Sequence, residues 1–274
     1  FQAEDGIRHF CLSRGLGDVY KRQLYEEVAG FITPKKAIRT YAQQALIRGA
    51  VLRQNERVIT WQQETDYIIV QTDKGSYHTE KLILTAGPYI QSLLTRFIPK
   101  LTVTRQLLGW LNPSNWEDFL MNRFPCWVIE EEGVSGIYYG FPILPIEKFS
   151  GPIGLKIAHH APGAIIIPDE VKEYDEIQEA QQLLSVSRRY FKDQKMTMLN
   201  MSSCMYTYSS DNHFIIDYLP QTDEKVIIAT GFSGHGFKLA PIIGKLLSEL
   251  IVDAKTDSLL ELSLIHILRC RRRG

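Results

Sequence analysis

The chain is poor in cysteine and has no CxxC spacing: its four cysteines stand at 11, 126, 204 and 270. Neither a disulfide framework nor a zinc site is indicated, so no metal is expected and a reducing compartment is the default. Net formal charge is also missing, with 31 basic and 31 acidic side chains. Nothing electrostatic therefore calls for a nucleic-acid partner. No apolar run reaches the ~18 residues that crossing a bilayer requires, so no membrane partner is expected. The start of the chain lacks the basic–apolar–small-residue order of a secretory leader, and a cytoplasmic setting is expected. Internal repeats and low-complexity linkers are absent too. What remains is a chain of 274 residues, able to bury one large core or two modest ones.

The two ends read differently from the middle. Residues 1–23 (FQAEDGIRHFCLSRGLGDVYKRQ) have no usable apolar periodicity and look like translated sequencing-adapter sequence. The tail at 262–274 (LSLIHILRCRRRG) looks the same, and both are expected to be non-native. Its arginines could be read as a nucleic-acid or membrane tail, but a single basic cluster is weak evidence. The ends carry five net positive charges, which leaves the middle acidic by five. Cys126 and Cys204 are then the native thiols.

In the middle, Ile38, Tyr41, Ala42, Ala45 and Leu46 fall at helical spacing, with Gly49 as a stop. Val58–Trp61 and Tyr67–Gln71 read as strands, with turn chemistry at Asp73–Ser76. Leu82–Thr85 is an apolar run ending at Ala86-Gly87-Pro88, the pattern of a buried strand that opens onto a ligand. From about 101 to 156, aromatic and glycine-rich alternating runs (107–110, 127–129, 137–139) predict an antiparallel sheet with a turn at Glu132-Gly133. A helix is expected over about 169–191, with Val171, Tyr174, Ile177, Leu184 and Phe191 among its apolar members, then a buried strand at 226–229. A last helix carries the stripe Leu239, Ile242, Ile243, Leu246, Leu247 and Leu250, with Pro241 in its first turn.

Two segments near the C-terminus carry chemistry. Cys204-Met205-Tyr206-Thr207-Tyr208 precedes the apolar strand Phe214-Ile215-Ile216. Gly231-Phe232-Ser233-Gly234-His235-Gly236-Phe237-Lys238 then opens the last helix. Glycines at 231, 234 and 236 let backbone approach a flat ligand. Asp211 and His213 read as local turn chemistry. Ser233 fails the GxSxG spacing of a hydrolase elbow. With Arg48-Gly49-Ala50, Tyr77–Pro88, Arg105-Gln106, Gly136–Pro142 and Gly154-Leu155-Lys156, these segments resemble the monomeric sarcosine oxidase and N-methyltryptophan oxidase group of the D-amino-acid-oxidase-like flavoproteins. The likeness covers about residues 24–261.

The resemblance implies an α/β (α+β) fold: an FAD-binding Rossmann-like domain over 24–100 and 201–261, with an antiparallel-sheet substrate domain at 101–200 inserted between. It implies FAD, attached covalently through Cys204, with Val58, Gly87, Gly231, Gly234, Gly236 and Lys238 at the cofactor. Lys156 matches a lysine that assists oxygen reduction. Lys238 matches a cation that binds the substrate carboxylate. His235 polarises the site or hydrogen-bonds the flavin, and Tyr139, Tyr206 and His160 match pocket positions. The implied reaction oxidises the C–N bond of an N-methyl or cyclic secondary amino acid to an imine and reduces O2 to H2O2, in a monomer. One departure stands out. The family opens with a GxGxxG turn that holds the dinucleotide, and none occurs here; the glycines at 231, 234 and 236 have the wrong order. The chain is therefore expected to be an inactive fragment. A same-fold dehydrogenase using another acceptor and a non-catalytic binding module remain alternatives.

Overall fold

The computed structural model describes residues 24–94, 100–147, 149, 151–170, 176–253 and 265–266. The expected foreign ends lie outside the described residues, apart from Ile265 and His266. Helix α1 (Pro34–Ile47) starts with proline in its first turn and stops at Gly49, whose φ of +90° a side chain would resist. Strands β1 (Val58–Gln63), β2 (Ile68–Thr72) and β3 (Ser76–Thr79) form a small antiparallel sheet in that order. The Thr72 hydroxyl accepts hydrogen bonds from the Lys74 and Gly75 amides and so closes the turn between β2 and β3.

Strand β4 (Leu82–Leu84) leads through a short 3-10 turn, Gly87–Tyr89, into α2 (Ile90–Leu93). The chain then enters a five-stranded sheet built from β5 (Thr102–Asn112), β6 (Trp127–Ile129), β7 (Ile137–Phe141), β8 (Leu155–His160) and β9 (Thr197–Tyr208). Its order is β6-β7-β8-β5-β9 and every pairing is antiparallel. Helix α3 (Glu176–Phe191) covers one face. Ala180, Leu183 and Val186 are its buried apolar members, with Ser187 buried beside them, whereas Ile177 is 73% exposed; Val171 and Tyr174 lie outside the described residues. Leu184 and Phe191 do pack against this core, Phe191 edge-on to Phe119, Phe124 and Trp127. Leu183 and Val186 meet Leu111, Tyr138, Leu155 and Ile157 from the sheet.

Strand β9 crosses the 200/201 division read from sequence and stays wholly within this sheet. The chain returns through β10 (Phe214–Tyr218) and β11 (Val226–Thr230) to α4 (Ala240–Asp253). A last two-residue strand, β12 (Ile265–His266), joins the edge. Together with β4 these strands form a sheet of order β12-β10-β11-β4, in which β11 runs parallel to β4 and antiparallel to β10. Strand β11 reads as continuous apolar residues because both its faces are buried. Val226 and Ile228 meet β2, β4 and α2, while Ile227 and Ala229 lie under Leu246 and Leu247 of α4. Ile242, counted into the α4 stripe from sequence, points outward at 49% exposure.

Candidate active site

Strand pairing alone gathers most of the expected site. Lys156 of β8 stands directly across from Trp110 of β5 and Phe141 of β7. Tyr139 pairs with Ala158, Tyr206 with Thr104, and Cys204 with Gln106. Because side chains alternate across a strand, Cys204, Tyr206, Lys156, His160 and Tyr139 all emerge on one face, opposite the face that α3 covers. Leu111, Leu155 and Ile157, one residue out of phase with them, build the core instead. A bulge separates the two roles along β9: Trp110 pairs with Asn200 but Leu111 with Met198, leaving Leu199 as the extra residue.

The clustered side chains touch one another. His160 Nδ1 lies 3.4 Å from the Tyr206 hydroxyl, and the His160 ring centre is 5.5 Å from that of Tyr206 and 6.4 Å from that of Tyr139. Burial pushes the Tyr206 phenol well above its ordinary value, aided by Tyr139, Cys204 and Tyr208. Burial likewise raises Tyr139, with Tyr206 opposing. Both rings therefore remain neutral donors at any physiological pH. Burial lowers the Lys156 ammonium, with Cys204 opposing, and raises the Cys204 thiol, with Lys156 opposing. Both side chains are half-buried on this face. Burial also lowers the His160 imidazole, helped by the charges of His235 and His159.

The glycine turn after β11 closes over this face. A Cβ on Gly234 would stand 2.5 Å from the Tyr206 ring and 2.9 Å from His160 Cε1, so only glycine fits there. Gly231 and Gly234 have φ of +67° and +80°, and the buried Ser233 between them is held at +49°. Ser233 donates from its amide to Thr207 of β9 and from its hydroxyl to Gly231, which fastens the turn to the sheet. Gly236 has an ordinary helical backbone and makes room for the Phe232 ring. His235 is half-buried, its ring 4.8 Å from Phe214 and its Nδ1 3.0 Å from the Ser233 carbonyl. Lys238 is exposed on the 3-10 turn Phe237–Leu239. Asp211 accepts from the His213 amide and the Ser209 hydroxyl, the local turn chemistry expected.

Val58, the first residue of β1, and Gly87, just after β4, lie elsewhere. A cleft of about 500 Å³ is lined there by Val58, Trp61, Val70, Leu84, Thr85 and Ala86, among others. The Gly87–Tyr89 turn packs against β9, joining the cleft to the strand that carries Cys204. Three features fit a flat dinucleotide. Gly87 has φ of +54°, with nothing within 4 Å of where a Cβ would stand. Gly231 turns tightly at the end of β11. The Thr230 hydroxyl just before it is fully buried without a hydrogen-bond partner, a group that a polar ligand would satisfy. Among the described residues no group of three or more metal-ligating side chains occurs, and no helix is long and apolar enough to cross a membrane.

Residues 12–250 match the sequence model of the DAO family, described as FAD dependent oxidoreductase. The chain belongs to this family of FAD dependent oxidoreductases. Among its relatives, it is 34% identical over 239 residues to the monomeric sarcosine oxidase of a Bacillus species (strain B-0618), covering 85% of this chain and 59% of that protein. It is 30% identical over 238 residues to the N-methyl-L-tryptophan oxidase of Salmonella dublin, covering 86% and 60%. The chain thus spans about three-fifths of the length of these relatives. The fold of NikD, an unusual amino acid oxidase essential for nikkomycin biosynthesis, superimposes with a TM-score of 0.65 at 21% identity, over 81% of this chain and 56% of that one.

Sequence reasoning passed over the aromatic residues that flank Lys156. Trp110 and Phe141 were visible as members of strands, but their placement beside the lysine depends on a pairing register that only the assembled sheet defines.

Proposed function

We propose that the whole protein is an FAD-dependent oxidase of N-methyl or cyclic secondary amino acids, of the sarcosine, N-methyltryptophan or pipecolate type. It would oxidise the substrate C–N bond to an imine and reduce O2 to H2O2, working as a cytoplasmic monomer. The observation that carries this reading is the convergence of Cys204, Lys156, Tyr139, Tyr206 and His160 on one sheet face under the Gly234 turn. When bound, the flavin supplies the acceptor for the electron pair leaving the substrate. Val58, Gly87, Gly231, Gly234 and Gly236 offer it backbone, and Cys204 anchors it covalently. Lys238 pairs with the substrate carboxylate. Tyr139 and Tyr206 orient the substrate as neutral hydroxyls, with His160 held uncharged beside them and His235 polarising the turn. Lys156 presents a fixed cation in a water-poor site, where it stabilises negative charge developing on oxygen.

The test is acid precipitation of the denatured whole protein. Yellow colour is expected to stay with the pellet, and in Cys204→Ser to pass to the supernatant. Colour released from the parent protein would remove the role of Cys204 while leaving a flavoprotein. Absence of flavin would overturn the reading.

A further inference from the structure

We propose that Trp110 and Phe141 form a two-ring cradle that holds the Lys156 side chain as a positioned cation in place of a carboxylate counter-ion. The inference rests on the reading of Lys156 as the oxygen-side cation. Its geometry comes from the register. Lys156 lies on the strand between β5 and β7, and its two direct cross-strand neighbours on the open face are both aromatic. Its Nζ is 5.6 Å from the centre of the Trp110 ring and 5.3 Å from that of Phe141. Both distances are within the range at which a ring face attracts a cation. The Phe141 ring is itself held in orientation, packed against Phe31 at 5.4 Å and edge-on to Tyr139 at 6.1 Å.

Among the described residues no carboxylate pairs with Lys156. Tyr139 of β7, His160 of β8 and Cys204 and Tyr206 of β9 share its sheet face, and of these Cys204 is the one whose charge bears on the lysine. None of the four is a carboxylate. Half-buried, the lysine loses part of its hydration, which favours the neutral amine. An aspartate beside it would restore the ammonium but cancel its field toward the open face. Two aromatic faces favour the ammonium through their quadrupoles and carry no net charge, so the full positive charge remains available to an anion arriving on that face. Trp110 and Phe141 are thus positioning residues, acting through the lysine.

The experiment follows the Lys156 amine directly. The flavin-loaded whole protein is labelled with a trace amine-reactive reagent across pH, and modification of Lys156 is quantified by mass spectrometry. Trp110→Leu and Phe141→Leu keep apolar bulk and remove a ring. Each is expected to lower the Lys156 titration midpoint by about half to one pH unit, whereas Trp110→Phe stays near the parent. The sign is fixed: removing a ring destabilises the charged form, so the proton leaves at lower pH. Flavin reoxidation by O2 should lose its high-pH limb earlier by the same interval. Midpoints that are unmoved or raised in both leucine variants would overturn the cradle; a failure of one variant to fold leaves the other to decide. Reoxidation that persists unchanged in Lys156→Met would remove the oxygen role of the lysine, while the labelling midpoints still judge the cradle.

Discussion

Replacing Gly234 by alanine tests the contact between the glycine turn and the catalytic sheet. Two independent costs add. The residue sits at φ of +80°, a left-handed conformation that costs an L side chain about 1–2 kcal/mol. The new methyl would also stand 2.5–2.6 Å from two Tyr206 ring carbons and 2.9 Å from His160 Cε1. Tyr206 is held by His160 and by the Tyr208 ring and cannot swing aside freely, so overpacking adds about 1–3 kcal/mol. The sum is roughly 2–5 kcal/mol, which for a protein of this size lowers Tm on the order of 10 °C. Gly244→Ala supplies the internal control. Gly244 lies on an exposed turn of α4, with nothing within 4 Å of the added methyl, and that change should raise stability by about 0.5–1 kcal/mol. Thermal melts of both variants, followed by near-ultraviolet circular dichroism, make the comparison. Should Gly234→Ala melt with the parent, the turn does not rest on Tyr206 and His160, and the closed face described above is wrong.

Two further outcomes can be checked in the same protein. Glu179 holds the buried Arg105 guanidinium through both carboxylate oxygens, at 2.9 and 2.6 Å, and ties α3 to the back of β5. Glu179→Gln is expected to cost about 1–3 kcal/mol, less than a wholly buried pair because Glu179 is 34% exposed; a lower urea midpoint at unchanged m-value is the measure. His160 binds its proton less tightly folded than unfolded. Its contribution to stability is therefore present above the ordinary imidazole value near 6.5 and is lost as pH falls through the interval below it. His160→Gln should flatten the Tm-against-pH curve between pH 5 and about 6.5; an unaltered slope there would assign the acid sensitivity to other groups.

Elements whose burial is written in local periodicity were legible from sequence. The stripe Leu239–Leu250 marked α4, and Val226–Ala229 marked a strand buried on both faces. Cys204, Tyr206 and the glycine turn were legible as a site because they lie within 33 residues of one another and in a recognisable order. Strand β9 was less so. Its run from Thr197 to Tyr208 mixes polar and apolar residues on an edge of the sheet, and the bulge at Leu199 breaks the alternation that would reveal it. The cradle of Lys156 escaped for a different reason. Trp110 and Phe141 are 46 and 15 residues away from the lysine, and only long-range pairing puts them beside it. The outward positions of Ile177 and Ile242 show the complementary failure: an apolar residue at helical spacing reports a face only when its neighbours agree on which face is inside.

The bulge at Leu199 makes β9 a strand with two independent phases. Beyond it Met198 packs against the α3 core, and before the other end Cys204 faces the site, although both carry even numbers. A change of one residue in strand length is ordinarily ruinous, because it turns every later side chain to the opposite face. Here such a change at residue 199 can be absorbed locally on the α3 side, while the phase that presents Cys204 and Tyr206 is set separately by their pairing with Gln106 and Thr104. Descendants of this chain can therefore remodel the core beneath α3 by insertion or deletion at a single seam without re-aiming the residues that do the chemistry.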